Sequence, residues 1–393
     1  MKEEVFLMHK DIKVAKLTRT SGYYNVLEIY NKEHMPVSTR NATNDMPRLF
    51  MYWIKNRCIS NQRPNINNLI INTGYNNITD LAIDNLGLSL TDCYWFKPID
   101  KDIKWDDINF HKNGFKSNVG ELLFKNDFTK EINTLISPDI TTNGCLPKMW
   151  IQDENNKFFL VKDASAENIK DGHIDECVNE VFAYEVSKLL NVPTIPYFLL
   201  KIANSDKICC ACPSFIEDDK HEFVSMEQFW KEHPKYTRKD IYNMFCDMGY
   251  EKEMNGILIL DFLTGNGDRH HNNIGIIRNP DTLKIEGLCI NFDNGACMQY
   301  NYQSHQVNDM ESNLITRYAL DELKQVKYFD CFKDADLKYI DLIRLYEKIA
   351  SSYIPQEARM ALRSALANRM QILQEMVKDK QNDYRESYDI GER

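Results

Sequence analysis

Three polar residues fall at a spacing that could serve phosphoryl chemistry. Asp268 and Asn273 lie five positions apart in "GNGDRHHNN", and Asp293 follows in "NFDNG", 25 residues after the first. Two carboxylates and an amide form an oxygen-rich set suited to a hard divalent cation; Mg²⁺ in nucleotide sites takes one or two carboxylates, waters and substrate phosphates. Phosphoryl transfer needs in-line positioning, neutralised phosphate charge and an acceptor for the hydroxyl proton. Upstream, Lys162 in "KFFLVKD" offers a cation for phosphates, and Glu180 in "VNEVFAYEV", 18 residues later, offers a carboxylate to hold it. Singly, Asp and Asn are ordinary turn residues, Lys162 a strand-end charge and Glu180 a helix-surface charge. Their order as a set carries the reading.

The elements around these residues must position them. "KMWIQDENNKFFLVKD" reads as a hairpin, two apolar runs joined by a polar turn. Before it, "TTNGCLPK" stands where a phosphate-covering loop belongs, with backbone N–H groups, the hydroxyls of Thr141 and Thr142, and Lys148 as donors. "DECVNEVFAYEVSKLLNV" places Val178, Phe182, Val186 and Leu189 at helical spacing, stopped by Asn191 and Pro193. "TIPYFLLKIANSDKICCACPSFI" reads as a second pair of buried strands. Cys209, Cys210 and Cys212 there alternate faces, which suits small core residues better than one metal. "GILILDFLTGN" is an apolar helix stopped at Gly265 and Gly267, and "IGIIRNPDTLKIEGLCI" is a hairpin leading to Asp293.

Beyond residue 225 the pattern is mainly helical, with Phe229, Trp230, Tyr242 and Phe245 as core. "QEARMALRSALANRMQILQEM" forms an amphipathic packing helix, and "QNDYRESYDIGER" reads as a frayed tail. Residues 1–115 alternate β-like runs, "EVFLMH" and "YYNVLEIY", with one amphipathic helix around "DMPRLFMYWIKNRCI"; "NGFKSNVGELLF" reads as a connector. Arg269 is expected to brace its loop or neighbouring carboxylates, and His270 to hydrogen-bond within the loop. Adjacent His270 and His271 point apart and make a poor zinc pair.

The bulk numbers exclude other classes. Of 393 residues, 43% are hydrophobic and 11% aromatic, enough for a sizeable core. The 48 Lys and Arg against 58 Asp and Glu give a net charge of −10, which argues against non-specific binding to nucleic acid or anionic membrane. A small anionic ligand needs only a local positive site. No run approaches the ~18 apolar residues of a membrane span, and the start lacks the apolar stretch of a signal peptide. Eleven cysteines without framework spacing suit a reducing, cytoplasmic setting.

The order "TTNGCLPK", "FLVKD", "VNEVFA", "GNGDRHHNN", "FDNG" resembles the HipA-like serine/threonine kinases, toxins of bacterial toxin–antitoxin pairs. The resemblance covers residues 135–375, and residues 1–115 resemble that family's small N-terminal subdomain. It implies an α+β, bilobal protein-kinase-like fold. Residues 1–115 would form the N-terminal α+β subdomain, 116–222 a small lobe of β-sheet and one helix, and 223–393 an α-helical large lobe with a polar tail. It implies ATP and Mg²⁺ as cofactors, with Lys162 on the phosphates, Glu180 as its anchor, Asp268 as catalytic base, and Asn273 and Asp293 on the metal. Thr142, Asn143, Gly144 and Lys148 would cover the phosphates, the backbone of Phe215, Ile216 and Glu217 in "PSFIED" would read adenine, and His270 would join the nucleotide-binding residues. The implied reaction moves the γ-phosphate to Ser or Thr hydroxyls of a protein substrate and of the chain itself. The implied partner is a small antitoxin protein, without direct contact to nucleic acid or membrane. "GDRHHNN" also fits the D-R-H-x-x-N signature of phosphoinositide kinases and their protein-kinase relatives. Two alternatives therefore stay open: a lipid or small-molecule kinase, and a nucleotide-binding pseudokinase acting as an interaction module.

Overall fold

The computed structural model of the chain describes residues 4–20, 23–42, 44–164, 176–201, 208–233, 235–236, 240–298, 323–350 and 356–391. Strands β1 (Glu4–His9), β2 (Ile12–Thr20) and β3 (Tyr23–Ile29) precede helices α1 (Met46–Arg57), α2 (Ile66–Thr73) and α3 (Ile78–Asp84), then β4 (Tyr94–Pro98). Helix α4 (Val119–Lys125) leads to β5 (Lys148–Gln152), β6 (Phe158–Asp163) and α5 (Glu176–Leu189). Next come β7 (Phe198–Lys201), β8 (Ile208–Pro213), β9 (Glu222–Ser225), α6 (Ile241–Asp247) and α7 (Glu251–Thr264). The chain continues through β10 (Gly275–Arg278), β11 (Ile285–Leu288), α8 (Tyr339–Ala350) and α9 (Gln356–Gly391).

These elements gather into two compact units, neither contiguous in sequence. The first holds Met1–Asp163, Ala211–Ile241 and His271–Cys289, the second Ala164–Cys210, Tyr242–His270 and Ile290–Arg393. In the first unit, β3-β2-β1-β4 form one sheet and β11-β10-β9 another, each with antiparallel pairing. Val5 and Leu7, on one face of β1, enter an apolar cluster with Phe50, Trp53 and Ile54 of α1 and Leu81 of α3. The described part of residues 1–115 holds three helices of seven residues or more rather than one, plus single turns at Trp105–Ile108 and Phe110–Asn113. The short α2 and α3, of eight and seven residues, span only about two turns each, too brief a pattern to show periodicity. The stretch read as a connector contains α4, whose Val119, Leu122 and Leu123 are buried. β5 and β6 form the expected antiparallel hairpin around "DENNK".

The first unit also contains a buried ionic network. Glu222 accepts hydrogen bonds from Arg278 Nε at 2.6 Å and lies 3.0 Å from His9 Nε2, while His9 Nδ1 meets His34 Nδ1 at 2.7 Å. Burial alone would raise the Glu222 carboxyl, but His9 and Arg278 outweigh it and hold it well below the usual carboxylate range.

In the second unit, α7 is apolar on every side and is buried from Met254 through Thr264. Helix α5 buries Val178, Phe182 and Val186, with Phe182 edge-on to Tyr346 of α8 at 5.1 Å. Leu189, expected in that core, is 40% exposed; the helix ends there and Leu190 turns inward instead. Of the two strands expected to be buried, β7 leaves Phe198 45% exposed, while Cys209, Cys210 and Cys212 of β8 are buried. The stretch read as a frayed tail is helix through Gly391. Among the described residues no helix is long and apolar enough to cross a membrane.

Candidate active site

Helix α7 ends at Gly265, whose left-handed φ of 69° closes the helix with N–H bonds to Asp261 O and Phe262 O. The turn continues tightly: Asn266 N–H donates to Asp261 O, Asp268 N–H to Asn266 Oδ1 at 3.1 Å, and His270 N–H to Asp268 O at 2.7 Å. This sequence of bonds leaves the Asp268 side chain 57% exposed at the tip.

Arg269 points the other way and braces the loop, as expected. It grips Asp261 through Nε and Nη2, both at 2.8 Å, donates from Nη1 to Phe292 O at 2.7 Å, and reaches Asn294 Oδ1. The loop of Asp268 and the loop of Asp293 are thereby fastened by one guanidinium. Asp293 adopts a left-handed φ of 61°, an uncommon conformation for a residue with a side chain. On its far side, Asn294 N–H donates to Glu180 Oε2 at 2.7 Å, and Asn179 Nδ2 donates to Gly295 O and Cys297 O. Gly295 lies against α5, where a Cβ would stand 3.4 Å from Glu180 Cγ.

The second unit therefore brings together Asp268, Asp293, His270 and Glu180. Partial burial raises the Asp268 carboxyl; Asp293 adds to that, while His270 and Arg269 act against it. The imidazole of His270 stands 4.0 Å from Asp268 Oδ2, beyond hydrogen-bond distance. Among the described residues no three His, Cys, Asp or Glu side chains cluster as a metal site. Two neighbouring carboxylates are within the one or two that Mg²⁺ takes in nucleotide sites.

Asn273 lies in the first unit and is buried. Its segment is pinned by Glu227 N–H to His271 O at 3.0 Å and Met226 N–H to Ile274 O at 2.8 Å. The remaining predicted residues of this unit surround β5 and β6. Lys148 and Lys162 are directly paired across the hairpin, and both are buried. Directly opposed residues share one face of the hairpin, so the two lysines stand side by side there.

The loop ahead of β5 is held by a residue outside the motifs. Arg63, buried at 2% exposure, donates to the carbonyls of Thr142, Asn143 and Gly144. Burial lowers its guanidinium to about 10. Lys148 Nζ also donates to Asn143 O at 3.1 Å. The threonine hydroxyls are engaged internally: Thr141 donates to Leu88 O or Pro138 O, and Thr142 donates to Pro138 O and accepts from Trp150 Nε1. In the stretch expected to read adenine, Ile216 N–H donates to Ser214 Oγ, whose hydroxyl returns to Ile216 O. Phe215 packs edge-on against Phe223 at 5.4 Å, and Glu217 is exposed.

Sequence reasoning missed Asp261, Asn294 and Arg63. Asp261 did carry a signal, since a lone acid within an apolar helix must find a partner or incur a large desolvation cost. Arg63 gives none, as its partners lie about eighty positions away.

No family model matches the chain, and no curated protein is similar enough to be matched. Solved structures do match. HipA of Shewanella oneidensis MR-1, in a complex with HipB and operator DNA, is 12% identical with a TM-score of 0.50, covering 93% of this chain and 96% of that one. The Helicobacter pylori proinflammatory kinase CtkA is 17% identical with a TM-score of 0.42, covering 56% of this chain and 89% of that one. The chain has an α+β fold of the HipA-like kinase type.

Proposed function

We propose that this chain is an ATP- and Mg²⁺-dependent kinase that phosphorylates Ser or Thr hydroxyls of a protein substrate and of itself. The observation that carries the reading is the fastening of the Asp268 and Asp293 loops by Arg269, in a chain of HipA-like fold. Bound ATP–Mg²⁺ supplies the transferable phosphoryl group and the charge that neutralises it. Asp268, exposed at its loop tip, accepts the proton of the attacking hydroxyl. Asn273 and Asp293 present oxygens to the metal. Lys148 and Lys162 take phosphate oxygens, with Glu180 holding Lys162 in line as well as the Asn294 amide. Thr142, Asn143 and Gly144 cover the phosphates by backbone groups, Phe215, Ile216 and Glu217 border the adenine, and His270 approaches the nucleotide beside Asp268. The Shewanella protein is seen with HipB, and by that likeness a small antitoxin protein is the proposed partner.

The test is transfer of labelled phosphate from ATP, with protein and lipid fractions separated and sites mapped by mass spectrometry. Label is expected on protein Ser or Thr, falling by ~10²–10⁴-fold in Asp268→Asn with ATP binding retained. Undiminished labelling in that variant removes the base assignment. Label confined to lipid, or ATP binding without transfer, replaces the reading with a lipid kinase or a binding module.

A further inference from the structure

Arg63 lies outside the kinase-like motifs, yet it grips three consecutive carbonyls of the loop ahead of β5. Its Nε donates to Gly144 O at 3.1 Å, and its Nη2 to Asn143 O at 3.0 Å and to Thr142 O. The same turn meets the next residue of the loop, with Cys145 Sγ 3.2 Å from Gln62 Oε1 and 3.8 Å from Ser60 Oγ. The segment between α1 and α2 therefore sets the backbone of residues 142–145, and all of these residues belong to the first unit.

That grip decides which way the amides of the loop face. In a planar trans peptide the C=O and the following N–H point in opposite directions, and the chain has no cis bond among the described residues. Carbonyls turned toward the guanidinium thus turn the N–H groups of Asn143, Gly144 and Cys145 away from it. Asn143 Oδ1 takes the Gly144 N–H at 2.7 Å, which leaves those of Asn143 and Cys145 facing outward. Gly144 permits the convergence through a left-handed φ of 102°. The peptide dipoles are aligned, negative ends on the cation and positive ends on the outer side.

The guanidinium is only 2% exposed, and its partners in this loop are neutral carbonyls. The acid whose charge reaches it, Asp139, is engaged with Trp150 N–H and Ser137 Oγ. A buried charge is costly unless it is compensated, and an anion beyond the aligned dipoles would compensate this one. Resting on the kinase reading, we propose that Arg63 is a positioning residue for the phosphates of the nucleotide. Without touching the ligand, it aims the Asn143 and Cys145 amides at a phosphate group and biases that side of the loop positive. It therefore governs affinity for the phosphates and not for the nucleoside. A guanidinium that only held the loop in place would affect every ligand alike.

The test uses calorimetry on the full chain, comparing Mg²⁺–ATP with adenosine for the native protein, Arg63→Met and Arg63→Lys. Arg63→Met is expected to weaken ATP by ~10-fold or more with adenosine unchanged. In phosphate-transfer assays it should raise KM for ATP while kcat stays within about threefold. Arg63→Lys, which keeps the charge but loses the fork, should fall between. Gly144–Cys145 is the only Gly–Cys pair in the chain, so carbonyl-labelled glycine with ¹⁵N-cysteine isolates the Cys145 amide by NMR. Measured in the native protein, that signal does not depend on how the variants fold, and it should move with ATP and stay in place with adenosine. Undiminished ATP affinity in Arg63→Met, equal weakening of both ligands, or a stationary amide on ATP binding overturns the proposal and leaves the kinase reading standing. A native protein that binds no ATP removes both.

Discussion

Arg269 and Asp261 are joined by two parallel hydrogen bonds of 2.8 Å, with both side chains only 5% exposed. The same guanidinium reaches Phe292 O, next to Asp293. One buried pair thus fixes the floor of the proposed site, and neither member needs to touch substrate.

Asp261→Ala should cost about 3–5 kcal/mol, because it strands a buried cation. Arg269→Lys keeps the charge but loses the forked geometry, and should both destabilise and slow phosphate transfer. Urea midpoints and labelling rates measured together check this. A loss below about 1 kcal/mol for Asp261→Ala would show that the pair is not a structural anchor.

Glu222→Gln should be similarly costly at neutral pH, leaving Arg278 and His9 without their shared carboxylate. The folded carboxyl is held below its unfolded value. Its stabilising contribution is therefore present above the unfolded pKa of ~4.3 and lost as pH falls below it. The difference in unfolding free energy between native chain and variant should be largest near pH 7 and shrink below about pH 4.

Asp139 shows the opposite sign. It is buried, and burial pushes its carboxyl up to about 6 despite hydrogen bonds from Trp150 N–H and Ser137 Oγ. The folded state then binds the proton more tightly than the unfolded one, so this group's contribution falls as pH rises from 4 to 6. The loss is about 3 kcal/mol. Asp139→Asn keeps the acceptor for Trp150 and should remove that dependence. Chemical denaturation of both chains between pH 4 and 8 reads it directly, and parallel curves would refute it.

Gly265→Ala tests the helix end from which the Asp268 loop starts. The position has φ of 69°, and an added Cβ would come within 2.4 Å of the Arg369 guanidinium carbon. Left-handed strain alone costs ~1–2 kcal/mol, and the overlap adds to it. Calorimetry should show a lowered Tm, whereas Gly267→Ala, with nothing within 4 Å of its Cβ, should leave Tm nearly unchanged.

How far the primary structure could be read depended on the range of the interactions. The hairpin of β5 and β6, the buried cysteines of β8 and the Gly265 stop are set by neighbours within a few positions, and each was legible. Arg269 was legible as a brace of its own loop, although its partner Asp261, eight residues earlier, was not picked out. The Arg63 clamp joins residues 79 to 81 apart, and His9 meets Glu222 across 213 positions. No local pattern encodes such partners. Strand β9 was missed for the same reason: four residues, "EFVS", take their identity from pairing with β10. Leu189 failed differently, since the helical period continued in sequence for one step after the helix had ended.

The meeting of His9 with Glu222 has a practical bearing on the first strand. Although β1 stands far upstream of every kinase-like motif, it supplies a wall of the same polar knot that seats the hairpin after Asn273. A chain trimmed to begin after residue 10 would take His9 away from the buried Glu222–Arg278 pair and remove β1 from between β2 and β4 of its sheet. The leading segment is a keystone, and shortened versions made for convenience should come out insoluble.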